Sequence, residues 1–357
     1  MPKTSTIPFG LSDYVLRKSF TEAAIRQGWF DSEHIIAAVS GGGDSIALLW
    51  LCSQFYEGKI TALHINHGIR GQESDGDEDF TAMFAESLGC EFVSVGVSVP
   101  ASRQKGESLE SAARRLRHEG ICSSAKKLGV STVLLGHNRD DLAETVLFNI
   151  LRGTGIRGAV GITESSELDG VKFCRPLLGF RRNFLREILR VRGLSWREDS
   201  TNNDEAYTRN YIRLKLLPVI EQNINASAVE HLALFGEDMR PVREHEDEIS
   251  AALFTECRES ESHEGSSLAL NARKLRKLSA DDIALVIREA GRRLGLRTLA
   301  RKRCDELSGL IRNSGRFVFQ WCGGVTVTGR KARIIIAGIP EGASSCSGIL
   351  LSGGQHK

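Results

Sequence analysis

The stretch AAVSGGGDSIALL, residues 37–49, joins a strand end, a glycine-rich turn and a helix start. Residues 34–39 form an apolar, β-capable run, and residues 45–55 carry an apolar face with helical spacing. The glycines between them can adopt backbone conformations that bulkier residues cannot. Their N–H groups and the positive end of the following helix dipole can converge on one anion. The stretch therefore predicts a phosphate-binding loop between a strand and a helix.

The glycine loop differs from two common nucleotide loops. No Gly-Lys-Ser/Thr follows the glycines, as a Walker A loop would require, and the glycines lack the spacing of a dinucleotide-binding fold. Asp44 places a carboxylate beside the bound phosphates, and a bridging Mg²⁺ would explain that pairing. The alternative is an ordinary glycine-rich turn in which Asp44 caps the helix.

Length, composition and cysteine spacing limit the class of protein. With 357 residues, of which 41% are hydrophobic and 26% charged, the chain is long enough for two domains with separate cores. No apolar segment is long enough to span a bilayer, and the first residues lack the order of a signal peptide. We therefore expect a cytoplasmic protein with no membrane partner. The absence of a Cys-x-x-Cys pair argues against a zinc ribbon, an iron–sulfur site or a disulfide framework.

The fold class follows from alternating β-like and helical patterns in the first half of the chain. The strands predicted over 34–39, 59–66, 91–99 and 132–135 alternate with helices predicted over 45–55, 73–88, 107–128 and 140–151. This order predicts an α/β fold with Rossmann-type topology, a parallel sheet with helices on both faces. Ligands bind at the carboxyl ends of such strands, where the glycine loop, His64 and Gly136 all lie.

The domain organisation is predicted from where this alternation fades. We expect a catalytic domain over 1–220, a helical connector and linker over 221–267, a smaller α+β accessory domain over 268–340 and a disordered tail over 341–357.

Within these domains, a helix over 208–220 is expected to end near Pro218. The accessory domain is expected to contain helices over 280–295 and 299–312 and strands over 316–321 and 325–336.

Basic residues are concentrated in 175–197 and 273–303. A basic second half beside a nucleotide-binding first half suits a protein that holds a polyanion across the join. The alternative is that these residues form solvated helix faces.

A second group of candidate residues lies in GHNRDDLAET, residues 136–145. Asp141 and Glu144 are three residues apart at a predicted helix start, so their side chains share a face. Acids at this position also complement the helix dipole, which is the alternative explanation. Two acids that face a nucleotide pocket suit an amine substrate or a metal ion.

Two further pairs are weaker candidates. His64 and Asn66 are interpreted as polar lining for a nucleotide base or ribose, since the His-x-Asn-His pattern lacks cysteine partners for a metal. Arg114 and Arg117 share one helix face and are placed to meet phosphates, substrate or solvent.

The motifs occur in an order that resembles the tRNA(Ile)-lysidine synthetases, a family of the PP-loop ATP-pyrophosphatase superfamily with a HUP-like fold. The matching segments are SGGGDS (40–45), HINHGIR (64–70), ESAARRLR (110–117), GHNRDDLAET (136–145), LRGTGIRG (151–158), RPLL (175–178), EDSTNND (198–204) and YTRNYIRLKLLP (207–218). The sequence departs from the family pattern at His118, where an aromatic residue is frequent, and at Ser200, where proline is frequent.

The resemblance implies a ligase that uses ATP to adenylate the wobble cytidine of a tRNA(Ile) with a CAU anticodon. Free lysine then attacks C2 of the base, giving lysidine, AMP and pyrophosphate. The catalytic residues it implies are Asp44, Asp141 and Glu144. Asp141 and Glu144 would bind the lysine ammonium, and Asp44 would hold Mg²⁺.

The resemblance also implies larger binding sets. The ATP-binding set comprises Ser40, Gly41, Gly42, Gly43, Asp44, Ser45, His64 and Asn66. The candidates for tRNA contact are Arg114, Arg117, Arg152, Arg157, Arg209, Asn210 and Arg213. The resemblance further implies that the accessory domain over 268–340 binds tRNA, and a homodimer is one expected oligomeric state.

Three other functions stay open at the level of sequence. A tRNA-thiolating enzyme of the same superfamily would share the loop but usually relies on paired cysteines. A small-molecule ATP-pyrophosphatase would share the loop without the basic second half. A non-catalytic, nucleotide-dependent RNA-binding module would keep ATP affinity and lack turnover.

Overall fold

The computed structural model describes residues 13–66, 72–103, 108–198, 207–259, 267–296, 298–321 and 324–337. The chain divides into two compact units, residues 1–240 and residues 241–357. The division falls inside the expected connector, and the expected tail over 341–357 lies outside the described residues. In the described ranges, no helix is long and apolar enough to cross a membrane.

A six-stranded sheet forms the centre of the first unit. Its strands are β1 (His34–Ala38), β2 (Lys59–Asn66), β3 (Glu91–Gly96), β4 (Thr132–Leu134), β5 (Ser165–Leu168) and β6 (Val171–Cys174). Their spatial order is β3-β2-β1-β4-β6-β5, and all neighbours are parallel except the antiparallel pair β5–β6. The predicted α/β fold with a parallel sheet is confirmed.

The β5–β6 hairpin is absent from the sequence-based prediction. Each strand has four residues, and β5 is exposed throughout, so neither shows a recognisable apolar alternation. The turn between them, Asp169-Gly170, has positive φ values of 54° and 77°, as a type I′ hairpin turn requires. The Asp-Gly pair is therefore the sequence signal that identifies this hairpin.

Helices cover both faces of the sheet. They are α1 (Asp13–Arg26), α2 (Gly43–Phe55), α3 (Gln72–Ser87), α4 (Val99–Ser102), α5 (Leu109–Leu128), α6 (Arg139–Leu151), α7 (Ile156–Ala159) and α8 (Arg182–Val191). Alternate residues of β1 point to opposite layers. Ile35 packs with side chains of α1, α2 and α8, and Ile36 packs with side chains of α5.

The strand order places a topological switch point beside β1. After β1 the chain continues on one side through β2 and β3, and it then crosses to the other side to form β4. Ile36 consequently pairs with Thr61 of β2 on one side and with Val133 of β4 on the other. Ligands of open α/β sheets bind at the carboxyl ends of the strands at such a point.

One predicted helix boundary is wrong. The segment after Tyr207 forms α9 (Thr208–Tyr211), a π-helical turn (Ile212–Leu216) and α10 (Leu217–Asn223), so the helix does not end near Pro218. The Leu217 N–H bonds to the Ile212 carbonyl, one residue farther back than in an α-helix. Pro218 then lies in the first turn of α10, where the missing N–H of proline breaks no hydrogen bond.

The second unit contains a four-stranded antiparallel sheet in the order β7-β10-β9-β8. Its elements are β7 (Ser267–Asn271), α12 (Ala272–Leu275), α13 (Ala280–Arg293), α14 (Arg301–Asn313), β8 (Phe317–Gln320), β9 (Thr326–Gly329) and β10 (Arg333–Ala337), and they follow α11 (Ala228–Cys257). The strand expected over 325–336 is two strands, because a turn at Arg330 interrupts it.

Candidate functional site

The glycine loop is held in shape by two serines. The Ser40 N–H donates to Oγ of Ser45 at 3.1 Å, and this hydroxyl donates to the Gly42 carbonyl oxygen at 2.8 Å. Gly41 has a φ of +85°, which favours glycine. Helix α2 begins at Gly43, directly after the loop. The unpaired N–H groups of its first turn lie at the carboxyl end of β1. Helix N-termini in general are suited to bind anions.

Asp44 lies in the first turn of α2 and is not the helix cap, since Gly42 occupies the N-cap position without a side-chain bond. Its Oδ1 is buried and has no hydrogen-bond partner among the described residues. Its Oδ2 lies 3.6 Å from Nε of Arg182. Burial raises the pKa of Asp44 to about 6, and the charge of Arg182 opposes this rise. A partly buried carboxylate with one unpartnered oxygen suits a cation that arrives with a ligand.

Asp141 and Glu144 lie at the start of α6, as predicted. Asp141 exchanges two hydrogen bonds of 3.0 Å with Asn138, which form a capping box. Glu144, one helical turn later, has no exposed surface. Asp141 therefore caps the helix with one oxygen and presents the other to the interior of the site.

Two arginines clamp this pair of acids. Arg182 donates through Nη2 to Oδ1 of Asp141 at 2.8 Å and through Nη1 to Oε1 of Glu144 at 2.9 Å. Arg213 donates to the same Asp141 oxygen at 3.0 Å and to both Glu144 oxygens at 2.8 and 2.9 Å. Burial acts to raise the pKa of Asp141, but Arg182 and other neighbouring groups hold it below its usual value. The acids form a buried network of paired charges.

Arg182 is the main residue that sequence reasoning missed. It is the first residue of α8, next to Arg181, and cations at a helix N-terminus oppose the helix dipole. Asp140 compensates, because its Oδ2 accepts the Arg182 backbone N–H at 2.7 Å and lies 3.2 Å from Nε of Arg181. Two adjacent arginines at a predicted helix start need carboxylates nearby to offset the unfavourable helix dipole. This pair is therefore the sequence signal for the contact between Arg182 and acidic residues.

The segment after β4 brings the acids close to the glycine loop. A β-carbon at Gly136 would lie 3.2 Å from the backbone nitrogen of Ser45, so the two backbones are in direct contact. Burial lowers the pKa of the following His137 to about 4. His137 is therefore neutral at neutral pH, and its Nδ1 has no hydrogen-bond partner within the described ranges.

His64 and Asn66 have protein partners at the end of β2. His64 Nδ1 lies 2.9 Å from the Val39 carbonyl oxygen, and burial lowers the pKa of His64. Asn66 donates to Oε2 of Glu78 in α3 at 2.8 Å. Their contact with a base or ribose stays a prediction, and His67 lies outside the described residues.

The segment after α8 crosses the glycine loop, which sequence reasoning did not indicate. The Arg197 N–H donates to the Gly41 carbonyl oxygen at 2.9 Å, and its Nε donates to Asp77 at 2.9 Å. A β-carbon at Gly43 would lie 3.4 Å from the Trp196 ring. The positive φ of Gly41 requires glycine there, whereas a β-carbon at Gly43 would make only ordinary van der Waals contact with the Trp196 ring.

The arginines expected to contact RNA lie in three different places. Arg209 is 3.6 Å from Glu144 and donates to Thr145 at 3.1 Å, so it extends the network around the acids together with Arg213. The half-buried Asn210 follows it in α9.

Arg114 and Arg117 are exposed on α5. Desolvation by the surrounding protein nevertheless lowers the pKa of the Arg117 guanidinium, and the charge of Arg114 acts in the same direction.

Arg152 lies at the opposite end of α6 from Asp141, roughly 16 Å away by helix rise, and Arg157 follows in α7. Arg152 stacks on Phe148 at 5.0 Å from the ring centroid. These two residues are remote from the acids.

The residues of this site fall within a segment that matches a known protein family. A family model described as a PP-loop domain matches residues 15–220. This range contains the whole glycine loop, α6, Arg182 and Arg213.

Similar curated proteins are named tRNA(Ile)-lysidine synthase. The protein from Clostridioides difficile is 33% identical over 231 residues, which are 63% of this chain and 49% of the relative. The protein from Thermus thermophilus is 42% identical over 204 residues, which are 57% of this chain and 38% of the relative. The chain therefore spans about half or less of the length of these relatives.

Among solved structures, a U34-tRNA thiolase from Methanococcus maripaludis, described with its [4Fe-4S] cluster, superimposes with a TM-score of 0.52. It is 16% identical, and the match covers 63% of this chain and 78% of the thiolase. At this identity the similarity concerns the fold alone.

Proposed function

The chain belongs to the PP-loop domain family, and from this premise we propose that it attaches lysine to C2 of cytidine 34 in a tRNA(Ile) with a CAU anticodon. The PP-loop domain implies the use of ATP. The names of the relatives support a tRNA(Ile) substrate and lysidine as the product.

The proposed reaction has two steps. The C2 oxygen of the cytidine attacks the α-phosphorus of ATP, and pyrophosphate leaves as the bond to the β-phosphate breaks. The ε-ammonium of lysine loses a proton to solvent, the resulting neutral amine attacks C2, the C2–O bond breaks with AMP as leaving group, and the nitrogen then loses a second proton to solvent. The protein contributes mainly by positioning the reactants and neutralising charge around the α-phosphate.

The observation that carries the proposal is the adjacency of an anion site and a cation site. Asp44 at the glycine loop and the acids Asp141 and Glu144 all contact a single guanidinium, that of Arg182. A helix N-terminus suits the phosphates of a nucleotide, and the acids suit the ammonium group of lysine. A reaction between an adenylated base and an amine requires these two sites side by side.

Mg²⁺ fits the site at Asp44. No group of three or more His, Cys, Asp or Glu side chains placed to hold a metal occurs within the described residues. Mg²⁺ is, however, commonly bound by one or two carboxylates together with substrate phosphates and water. The unpartnered Oδ1 of Asp44 is the oxygen that would hold it, and the ion would neutralise charge on the phosphates.

The RNA is proposed to contact four arginines on other parts of the first unit. Arg114 and Arg117 are exposed on α5, Arg152 follows the last residue of α6, and Arg157 lies in α7. The expected tRNA-binding role of the second unit and the expected homodimer stay predictions.

The test is incorporation of labelled lysine into an unmodified CAU-anticodon tRNA(Ile) transcript with Mg²⁺ and ATP. We expect label in the RNA, none with methionine tRNA, and loss of incorporation in Asp44→Ala. Asp238→Ala removes an exposed aspartate of the same unit and is the matched control, with activity retained. Absence of lysine incorporation by the unmodified protein would contradict the proposal.

The described cysteines favour lysine ligation over thiolation. Burial raises the pKa of every thiol in the part of the chain that the structure describes, namely Cys52, Cys90, Cys122, Cys174, Cys257 and Cys304. A sulfur carrier needs an accessible thiolate, which a raised pKa disfavours. A non-catalytic RNA-binding module would release no AMP in the same assay.

A further inference from the structure

Oδ1 of Asp44 and Nε of Arg182 lie where the proposed nucleotide and lysine sites meet. Both are buried atoms without a hydrogen-bond partner within the described residues, and Arg182 is only 9% exposed. Nε is 3.6 Å from Oδ2 of Asp44, beyond hydrogen-bond distance. Because buried polar atoms are nearly always paired, both atoms are available to a bound ligand.

The guanidinium of Arg182 is directed toward two groups of acidic residues. Its terminal nitrogens bond to Asp141 and Glu144, and its Nε side is directed toward Asp44 at the glycine loop. Arginine has five donors in a rigid fork and binds carboxylate and phosphate equally well. Arg182 is therefore within reach of the carboxylates of Asp141 and Glu144 and of phosphates bound at the glycine loop.

We propose that Arg182 couples nucleotide binding at the glycine loop to lysine binding at Asp141 and Glu144. This inference rests on the proposed function, since it takes the two acids as the lysine site. Without nucleotide, a lysine ammonium has to compete with the guanidinium already bonded to the acids. Phosphate oxygens at the loop give Arg182 a second anionic partner and draw it from the acids, which leaves Arg213 as the one guanidinium that lysine has to compete with there. By linkage, lysine increases nucleotide affinity by the same factor.

Two other arginines provide matched controls. Arg213 bonds to the same acids as Arg182, but no ion pair joins it to Asp44 in the described part of the chain. Arg181 precedes Arg182 at the start of α8 and pairs instead with Asp140 and Glu221. Replacement of Arg181 therefore shows whether destabilising the start of α8 is enough to change lysine binding. Replacement of Arg213 shows whether removing any guanidinium from the two acids is enough.

The experiment is a calorimetric titration of the full chain with L-lysine, with and without α,β-methylene ATP and Mg²⁺. In the unmodified protein, we expect the analogue to lower the lysine Kd about tenfold, within the usual range of coupling between sites. In Arg182→Gln, the lysine Kd becomes independent of the analogue. It also falls below that of the unmodified protein without analogue, because one of the two guanidiniums that compete with lysine for the acids is absent, while Arg213 remains. Arg181→Gln and Arg213→Gln keep the dependence on the analogue.

Three results would overturn the coupling. These are an unchanged lysine Kd on addition of analogue to the unmodified protein, a dependence that persists in Arg182→Gln, and weaker lysine binding in Arg182→Gln without analogue. The last result would assign Arg182 a purely structural role. If Arg182→Gln does not fold, as judged by its melting curve, Arg182→Lys replaces it. The ammonium group introduced by Arg182→Lys cannot bond to the acids and to the phosphates at once. We therefore expect the analogue to change the Kd of the lysine ligand less than about twofold in this variant.

The two proposals fail in distinguishable ways. Normal lysine incorporation into tRNA, together with analogue-independent lysine binding, overturns the coupling and leaves the proposed function intact. No incorporation and no lysine binding under either condition overturns both.

Discussion

Gly136 at the end of β4 is in backbone contact with Ser45 in the first turn of α2, where a β-carbon on Gly136 would lie 3.2 Å from the Ser45 nitrogen. Both partners are main chain, so neither can rotate away as a flexible side chain does. The contact therefore fixes the spacing between the glycine loop and the segment that carries Asp141.

The first prediction concerns this contact. We expect Gly136→Ala to lower the free energy of unfolding by about 1–3 kcal/mol, the usual effect of overpacking, and to raise the KM for ATP. Gly179→Ala is the control, because a β-carbon there meets no atom within 4 Å. Urea denaturation and pyrophosphate release measure the two effects. Equal unfolding free energies of the two variants would show that the backbones at Gly136 and Ser45 can separate without loss of stability.

The second prediction concerns the pH dependence of stability at Asp44. Its pKa is about 6 in the folded protein against 3.8 ordinarily, so between these values the folded state keeps a proton that the unfolded state has lost. The stabilisation is fully present below about pH 4 and is lost as the pH rises through about 6, by at most about 3 kcal/mol.

Asp44→Asn removes this titration. We therefore expect the unfolding free energy of the unmodified protein, relative to Asp44→Asn, to fall as the pH rises from about 4 to about 7. Guanidinium denaturation across that range measures it. Parallel curves for the two proteins would contradict the raised pKa.

The third prediction concerns the buried ion network. Glu144 is 0% exposed and bonded to Arg182 and Arg213, so Glu144→Gln leaves buried cations without their partner. We expect the unfolding free energy to fall by about 3–5 kcal/mol. Glu306→Gln breaks an exposed pair with Arg303 and should change it by roughly 0.5 kcal/mol.

A double-mutant cycle tests whether the network acts as a unit. Glu144→Gln combined with Arg213→Gln should cost less than the sum of the single changes, because the second change removes a cation that the first left unpaired. Strict additivity of the unfolding free energies would argue against a shared network.

The fourth prediction uses Trp196 as a reporter. Its ring lies 3.4 Å from the β-carbon position of Gly43, so a ligand at the glycine loop alters its surroundings. We expect α,β-methylene ATP with Mg²⁺ to cause a saturable change in tryptophan emission. Trp196→Phe should lose the change, and Trp321→Phe, in the core of the second unit, should keep it. A signal retained in Trp196→Phe would place the ligand elsewhere.

Much of the fold could be predicted because its signals are local. The apolar run of β1, the glycines after it and the apolar face of α2 are contiguous, and they specify a strand, a loop and a helix without reference to the rest of the chain. The β5–β6 hairpin has a local signal only in its Asp169-Gly170 turn and none in its two strands, and the helix past Pro218 has no such signal. The first depends on pairing with β4, and the second on a single wider helical turn.

The sequence by itself determined the α/β class, the glycine loop between β1 and α2, and the shared face of Asp141 and Glu144, since each follows from spacing along a strand or helix. The tertiary structure alone decided which cation lies between these acids. Arg182 is separated from Glu144 by 38 residues and from Asp141 by 41, and it reaches them because Asp140 holds the start of α8 against that of α6. Periodicity describes the faces of single elements. The ion pairs between elements depend on how the sheet brings their ends together.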